Sequence, residues 1–174
     1  MQLIKTYLVI GALALGITAL STPAVMAQDA GTSIAFGDRK QDTEAPIDVT
    51  SAQLAIDEVA NTALFTGDVV VVQDTMTLYA PWVKVFYNQD QSEISNMKAT
   101  GGVTLIQNEE AAEGEEADYD IENGTLVMTG DVLVTQKLSA IAADKMTIKM
   151  DDGTALMTGR VKTLLRTKKK KDGE

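Results

Sequence analysis

The chain of 174 residues contains no cysteine and no histidine. Without cysteine it has no disulfides, no thiol nucleophile and no thiolate ligand for a metal. Without histidine it lacks the commonest general base and the commonest zinc ligand. Ser51, Ser95 and Ser139 lie outside any nucleophile-elbow motif, although carboxylate pairs and Ser–Lys arrangements stay possible on composition alone. The composition therefore does not favour an enzyme, and we expect no cofactor and no metal site.

A long hydrophobic run is missing as well. The apolar stretch near the start, Tyr7–Leu20, has about 14 residues, fewer than the roughly 20 that span a bilayer. It follows the basic Lys5 and precedes Val25 and Ala27, which occupy the positions of a signal-peptidase site. This pattern predicts a cleaved signal peptide over residues 1–27. A retained inner-membrane anchor is the alternative interpretation.

Three segments stand out for their polarity in a chain of formal net charge −10. The acidic run Glu109–Asp118 predicts a solvated, mobile loop; a calcium site is the alternative, although the run lacks the spacing of an EF-hand loop. Residues 28–45 are small and polar without periodicity, which predicts a flexible lead-in. The four lysines Lys168–Lys171, in the basic tail 167–174, indicate a disordered C-terminal end. The alternative is that they contact anionic lipid headgroups or phosphates.

One short phrase, Thr-Gly-x-Val, occurs four times. Its glycines are Gly67, Gly101, Gly130 and Gly159, so the steps between copies are 34, 29 and 29 residues. A period of this size indicates one supersecondary unit that stacks on copies of itself. Since so small a unit cannot bury an apolar face alone, neighbouring copies must supply the core.

Each unit is predicted to be a strand, a tight turn and a second strand. Asn61, Gly124 and Gly153 stand six residues before three of the repeated glycines, and the last two belong to Asn-Gly and Asp-Gly pairs. Such pairs are the strongest short hairpin signals in a sequence. Because the flanking stretches alternate with a period of two, an all-β fold is expected and a helical solenoid is excluded.

The repeated glycine itself admits two interpretations. In one, the glycine lies inside a long strand and marks a bend or a bulge, which would curl the sheet about a common line. In the other, the Thr-Gly-Asp tripeptide forms the tip of a hairpin. The turns only six residues upstream favour the bent strand, since a second hairpin so close would leave strands of about four residues.

Superposing the copies predicts which side chains face inward. Residues two before and two after each glycine are apolar, as are the residues four after the first three glycines. The opposite phase carries threonine and charge, and successive side chains of a strand face opposite sides. The methionines of the inward set can act as plain core filler, because a flexible thioether repacks easily. The inward set consists of Phe65, Val69, Val71, Met97, Val103, Leu105, Met128, Val132, Val134, Met157 and Val161.

Three stretches resemble the OstA/LptA family of periplasmic lipopolysaccharide-transport proteins. They are Pro46–Gln53, Phe65–Gln73 and Leu78–Val85, and the resemblance extends over Pro46–Leu165. It implies a twisted, open-ended antiparallel β-jellyroll built from repeated hairpin units, here spanning residues 46–166. The acidic run and the basic tail depart from the expected family pattern.

The resemblance implies a non-catalytic periplasmic carrier that moves lipopolysaccharide from the inner to the outer membrane. The acyl chains of lipid A would be shielded by the inward residues. Ile47 and Val49 at the first edge would dock an LptC-like inner-membrane protein. Val161 and Leu164 at the last edge would dock an LptD-like outer-membrane protein or a second copy of the chain. An LptC-like anchored partner and a structural β-repeat module with a dry core are the alternatives, and no nucleic acid is expected.

Overall fold

The computed structural model describes residues 31–37 and 41–165, and this part of the chain is all-β, without a helix. The strands alternate with short turns, and the longest has 14 residues. In chain order they are β1 (Thr32–Ala35), β2 (Asp48–Thr50), β3 (Gln53–Asp57), β4 (Thr62–Gln73), β5 (Met76–Tyr87), β6 (Ile94–Gln107), β7 (Glu110–Asp120), β8 (Thr125–Gln136), β9 (Ser139–Lys149), β10 (Thr154–Thr158) and β11 (Lys162–Leu165).

All eleven strands belong to one antiparallel sheet whose centre is a simple meander. Strands β4 to β10 pair in chain order, with β2 and β3 both on the outer side of β4. At the other end β10 and β11 pair with different parts of β9, and β1 pairs with β10. The sequence prediction of antiparallel hairpin units is confirmed.

Every long strand is interrupted near its middle. The register between neighbours shifts at that point, for example between Thr66 and Val69 of β4 and between Thr129 and Val132 of β8. Gly67 and Gly130 lie inside these interruptions with φ of 79° and 84°, a left-handed conformation that only glycine adopts without strain. The repeated glycine is thus a bulge within a bent strand, and the hairpin-tip interpretation is wrong.

The line of bulges divides the sheet into two halves that fold onto each other. Half-sheet I contains the β3–β4, β5–β6, β7–β8 and β9–β10 turns at its free end, and half-sheet II contains the β4–β5, β6–β7 and β8–β9 turns. Side chains of both halves line the same interior, and the Tyr119 hydroxyl of half-sheet I donates to Gln73 Oε1 of half-sheet II at 3.2 Å. The sheet therefore has a hinge-like line of bulges on one side and two rows of turns on the other.

The interior between the half-sheets is closely packed. It contains 27 buried apolar residues, among them Leu105, Leu126, Met128 and Val134, each with 0% of its surface exposed. One void in this interior has a volume of about 10 Å³, which is about the room of one water molecule. It is lined by Val71, Met76, Leu78, Val83, Met97, Ala99, Ala117, Tyr119 and Leu126.

The acidic run Glu109–Asp118 is not a loop, so that expectation is wrong. Apart from Glu109, it lies in β7, a central strand that pairs with β6 and β8 over its whole length. Ala112, Ala117 and Tyr119 point inward and are buried, whereas Glu113, Glu115, Glu116 and Asp118 are exposed to water. Glu110, at the start of the strand, is half-buried at the inward rim, where it accepts a hydrogen bond from Gly37 N. An acidic strand is stable here because the alternation of side chains places the other carboxylates on the solvated face.

Residues 31–37 and 41–45 of the expected flexible lead-in 28–45 make defined contacts with the sheet. Thr32–Ala35 pair with β10, Phe36 is completely buried and Gln41 is 5% exposed. The composition of this segment is too polar to form a core of its own, but it adds to a core that the meander already provides. The predicted signal peptide 1–27 and the Lys168–Lys171 tail lie outside the described residues. Within residues 31–37 and 41–165 no helix is long and apolar enough to cross a membrane.

Candidate functional site

Most of the predicted inward set lies in the interior. Nine of its members are buried, with at most 6% exposure: Val69, Val71, Met97, Val103, Leu105, Met128, Val132, Val134 and Met157. Phe65 is half-buried and packs against this cluster. Val161 does not belong to it, because it precedes β11, has no strand partner and is 36% exposed. Past the last bulge no strand of the described residues pairs with this position, so the phase that buries side chains in the middle of the sheet does not bury Val161.

Polar side chains line the turn end of half-sheet II. Gln73, Gln107, Glu110 and Gln136 occupy one row of the sheet, two residues beyond the apolar row that contains Val71, Leu105 and Val134. This polar rim faces the N-terminal residues, and each of its members makes a hydrogen bond there. Gln73 Nε2 donates to both Thr43 O and Ala45 O. Gln107 Nε2 donates to Gln41 Oε1, and Gln136 Nε2 donates to Ala35 O. Glu110 Oε2 accepts a hydrogen bond from Gly37 N.

The centre of the polar rim is a buried hydrogen-bonded cluster. Gln41 Nε2 donates to Gln73 O at 2.5 Å, and its Oε1 accepts from Gln107 Nε2 and Thr75 Oγ1, each at 3.2 Å. The Tyr119 hydroxyl completes the cluster through Gln73 Oε1. Burial, aided by the negative charge of Asp151, raises the pKa of Tyr119 to about 12. The phenol therefore stays neutral and donates its hydrogen bond over the physiological pH range.

The two ends of the sheet present strand edges with unused backbone groups. In the described part of the chain β2 and β3 pair only with β4, and β11 pairs only with β9. Ile47 and Val49 turn their side chains toward the core, so that edge offers backbone rather than these side chains. Leu164, by contrast, is 56% exposed.

Sequence reasoning missed two features of this site. The first is the glutamine row: Gln73, Gln107 and Gln136 stand six residues after Gly67, Gly101 and Gly130, so the repeat itself carries the signal. The second is the apolar edge strand β3, whose Leu54 and Ile56 are 53% and 68% exposed. Their alternation is visible in the sequence, but only the topology shows that nothing covers them.

The site is an apolar interior with a small number of polar side chains. In residues 31–37 and 41–165 no three acidic side chains cluster in a way that could hold a metal ion. Among its buried polar groups, Gln41, Gln73, Gln107 and Tyr119 are neutral and are all hydrogen-bonded to protein partners. A folded-over antiparallel sheet with an apolar interior and free edges at both ends defines a β-jellyroll.

Comparison with known proteins specifies the kind of β-jellyroll. The family model described as LptA/(LptD N-terminal domain) LPS transport protein matches residues 48–162. The chain belongs to this family. It also has the fold of the crystal structure of LptH from Pseudomonas aeruginosa, described as the LptA homologous periplasmic component of the conserved lipopolysaccharide transport device. The TM-score is 0.65 at 17% identity, over 73% of this chain and 99% of that chain.

A curated relative is less informative about function. An uncharacterized protein of Rhizobium meliloti (strain 1021) is 32% identical over 90 residues. The match covers 48% of this chain and 48% of that protein, so the chain spans about half the length of the curated relative.

Proposed function

We propose that this chain is a non-catalytic carrier of lipopolysaccharide in the periplasm, moving it from the inner to the outer membrane. The acyl chains of lipid A occupy the interior between the two half-sheets, among the inward residues of β4 to β10. Burying an acyl methylene there gains about 0.8 kcal/mol, whereas the polar saccharide stays in water outside the sheet. Membership of a family of lipopolysaccharide-transport proteins supports the proposal.

The observation that carries the proposal is the continuity of the apolar interior across the meander. The inner row of half-sheet II runs Val71, Leu78, Leu105, Ala112, Val134 and Ile141 in register over six strands. In the described residues it contains no charge, and neutral polar groups appear only at the rim. A surface of this length suits several acyl chains side by side, and its methionines adapt to chains of different shape.

The free edges of the sheet support docking by strand addition, in which main-chain hydrogen bonds extend the sheet into a partner. We place an LptC-like inner-membrane protein at the edge with Ile47 and Val49. An LptD-like outer-membrane protein, or a second copy of the chain, joins the edge with Val161 and Leu164. Exposed Leu165 and Leu164 at that edge, 70% and 56% exposed, are typical of a surface that a partner covers.

Site-specific photocrosslinking tests the carrier function. A photoreactive residue at Met128, Val132 or Val134 is expected to capture lipopolysaccharide in cells, whereas one at Thr129, Asp131 or Thr135 captures far less. Both sets of positions lie on or next to the same strand of the same protein, so the variants can be compared at the same cellular location and at equal expression. Equal capture from both faces of β8 would contradict binding in the interior.

The close packing of the interior favours a second candidate function, a structural β-repeat module with a dry core. A void of about 10 Å³ holds no acyl chain, so the carrier must open to bind lipid. The same experiment separates the candidates: a dry core yields no lipid adduct from either set of positions.

An LptC-like protein that keeps its N-terminal anchor is the remaining alternative within the pathway. Mass spectrometry of the N-terminus of the protein purified from cells distinguishes it. Cleavage near Ala27 is expected, and retention of Lys5–Ala27 would contradict the exported carrier.

A further inference from the structure

We infer that the N-terminal residues 32–37 and 41–45, here called the strap, close the lipid entrance along the two rows of turns, and that acyl chains enter by displacing the strap. The inference rests on the proposed function and adds the path of entry and the part of the chain that controls it.

The strap runs along the open side of the folded sheet from one end to the other. Near β1, Ala35 O accepts from Gln136 and Phe36 N donates to Gly153 O at 2.8 Å. Further on, Gly37 N donates to Glu110. The last contacts are at the β4–β5 turn, where Asp42 N donates to Asp74 Oδ2 at 3.2 Å. The strap thus passes β8, β7 and β4 in turn.

The strap also ties the two half-sheets together. Gln41 N donates to Met150 O at the end of half-sheet I, while the side chain of the same residue donates to Gln73 O of half-sheet II. In the same way, Phe36 N donates to Gly153 O of half-sheet I and Gly37 N donates to the Glu110 carboxylate of half-sheet II. The half-sheets are joined at the bulges on the far side, so on the near side the strap is a tie across the mouth of a hinged structure.

The polar rim is built to hold a peptide segment. Gln73, Gln107 and Gln136 stand at the same position of three successive repeats, on the inward face, and all three bond to the strap. An amide side chain offers both a donor and an acceptor without charge, so the rim is satisfied by the backbone of the strap and by the Gln41 side chain when the strap is present. When the strap leaves, the same groups suit water or the hydroxyl and amide groups of a glycolipid.

Entry along the rows of turns requires little disruption of the sheet. Separating the half-sheets about the bulges leaves the ladders between neighbouring strands intact, because each half keeps its own register. Displacing the strap breaks the short β1–β10 pairing of four residues, the hydrogen bonds of the rim and the contact of Phe36 with the core. Separating the half-sheets also breaks the Tyr119–Gln73 hydrogen bond and the apolar packing between them. Phe36 therefore holds a place in the interior that an acyl chain would take.

A reversible disulfide across β1 and β10 tests the inference in the full chain. Ser33 and Leu156 lie directly opposite each other on the outer face, and opposite residues of antiparallel strands have the Cβ separation that a disulfide needs. The chain has no cysteine of its own, so the Ser33→Cys/Leu156→Cys protein forms only the designed bond. Thiol titration verifies the oxidised and reduced forms.

Two ligands are measured on both forms, purified lipopolysaccharide and the small apolar fluorophore N-phenyl-1-naphthylamine. The oxidised form is expected to bind each at least tenfold more weakly than the reduced form, and reductant restores binding. The reduced protein serves as its own control for the two substitutions.

A second variant loosens the strap. A Cβ at Gly37 would lie 2.5 Å from Cδ of buried Gln107, and φ at Gly37 is +81°, so Gly37→Ala pushes the strap away from the polar rim. We expect it to bind both ligands about threefold more tightly than the wild type. Gly102→Ala is the matched control, since Gly102 has a similar backbone (φ +97°), lies at the bulges and has nothing within 4 Å. It should bind like the wild type.

The outcomes separate this inference from the proposed function. Lipopolysaccharide binding that is equal in the oxidised and reduced forms would contradict the role of the strap and leave the proposed carrier function intact. If only the fluorophore binds, and only to the reduced form, the role of the strap is supported and the carrier function is contradicted. If neither ligand binds to any form, both hypotheses are contradicted. Gly37→Ala binding no better than Gly102→Ala would show that the strap does not limit entry.

Discussion

A carboxylate placed at Val134 tests whether the interior is a dry, packed core or a water-filled channel. Val134 has no exposed surface and lies between Ala112 of β7 and Ile141 of β9, both buried. Val134→Asp loses the burial of a valine side chain, worth about 1.5–3 kcal/mol. It also buries an unpaired carboxylate, which costs several kcal/mol or forces the group to protonate.

The expected loss is therefore about 4–6 kcal/mol in the free energy of unfolding. Since small domains have only about 5–15 kcal/mol in total, the variant should be marginally stable. Thr135→Asp is the matched control, because Thr135 is the next residue of β8, is exposed and lies opposite Ala111 and Ala140, which carry no charge. Its cost should stay below about 0.5 kcal/mol.

Urea unfolding followed by far-ultraviolet circular dichroism measures both variants. Part of the loss in Val134→Asp should return near pH 4, where the introduced carboxyl group is neutral, whereas Thr135→Asp should change little. If the two variants lie within about 1 kcal/mol of each other at pH 7, the interior admits water and the packed core described above is refuted.

Two further predictions concern the bulges and the buried cluster. Gly101→Ala and Gly102→Ala both strain a left-handed backbone, with φ of +93° and +97°, at about 1–3 kcal/mol each. Gly101→Ala should cost at least about 1 kcal/mol more, because its Cβ would lie 2.7 Å from Cγ of Pro81; equal urea midpoints would contradict this. Since the pKa of Tyr119 in the folded protein is about 12 against an ordinary 10.0, its neutral form stabilises the fold below pH 10, and this stability is lost as the pH rises from 10 to 12. Tyr119→Phe should remove that part of the pH dependence, and an unchanged slope would contradict the assignment.

How much the sequence determined is clearest in the repeats. The alternation around Gly67, Gly101 and Gly130 predicts strands, their inward phase and the bends within them, and the structure confirms these at Val69, Val103 and other positions. These features are local: period-two alternation and the left-handed backbone of glycine act within one strand. A stretch of a few residues is therefore enough to determine them.

The sequence predictions were wrong where the local structure depends on contacts with residues distant in the chain. The acidic run has a charge density that is typical of a loop, yet backbone pairing with β6 on one side and β8 on the other makes it a strand, β7. The polar lead-in gains order only because β10 and the polar rim supply its hydrogen bonds. Val161 keeps the phase of the repeat but is 36% exposed, since no strand of the described residues pairs with it.

The sequence by itself determined the strands, their apolar face and the membership of a β-jellyroll family. The tertiary structure alone decided that the interior is closed and that Phe36 and Gln41 help to close it. The physical reason is that a side chain's phase follows from its own strand, whereas its burial and its hydrogen bonds depend on which segments fold over it.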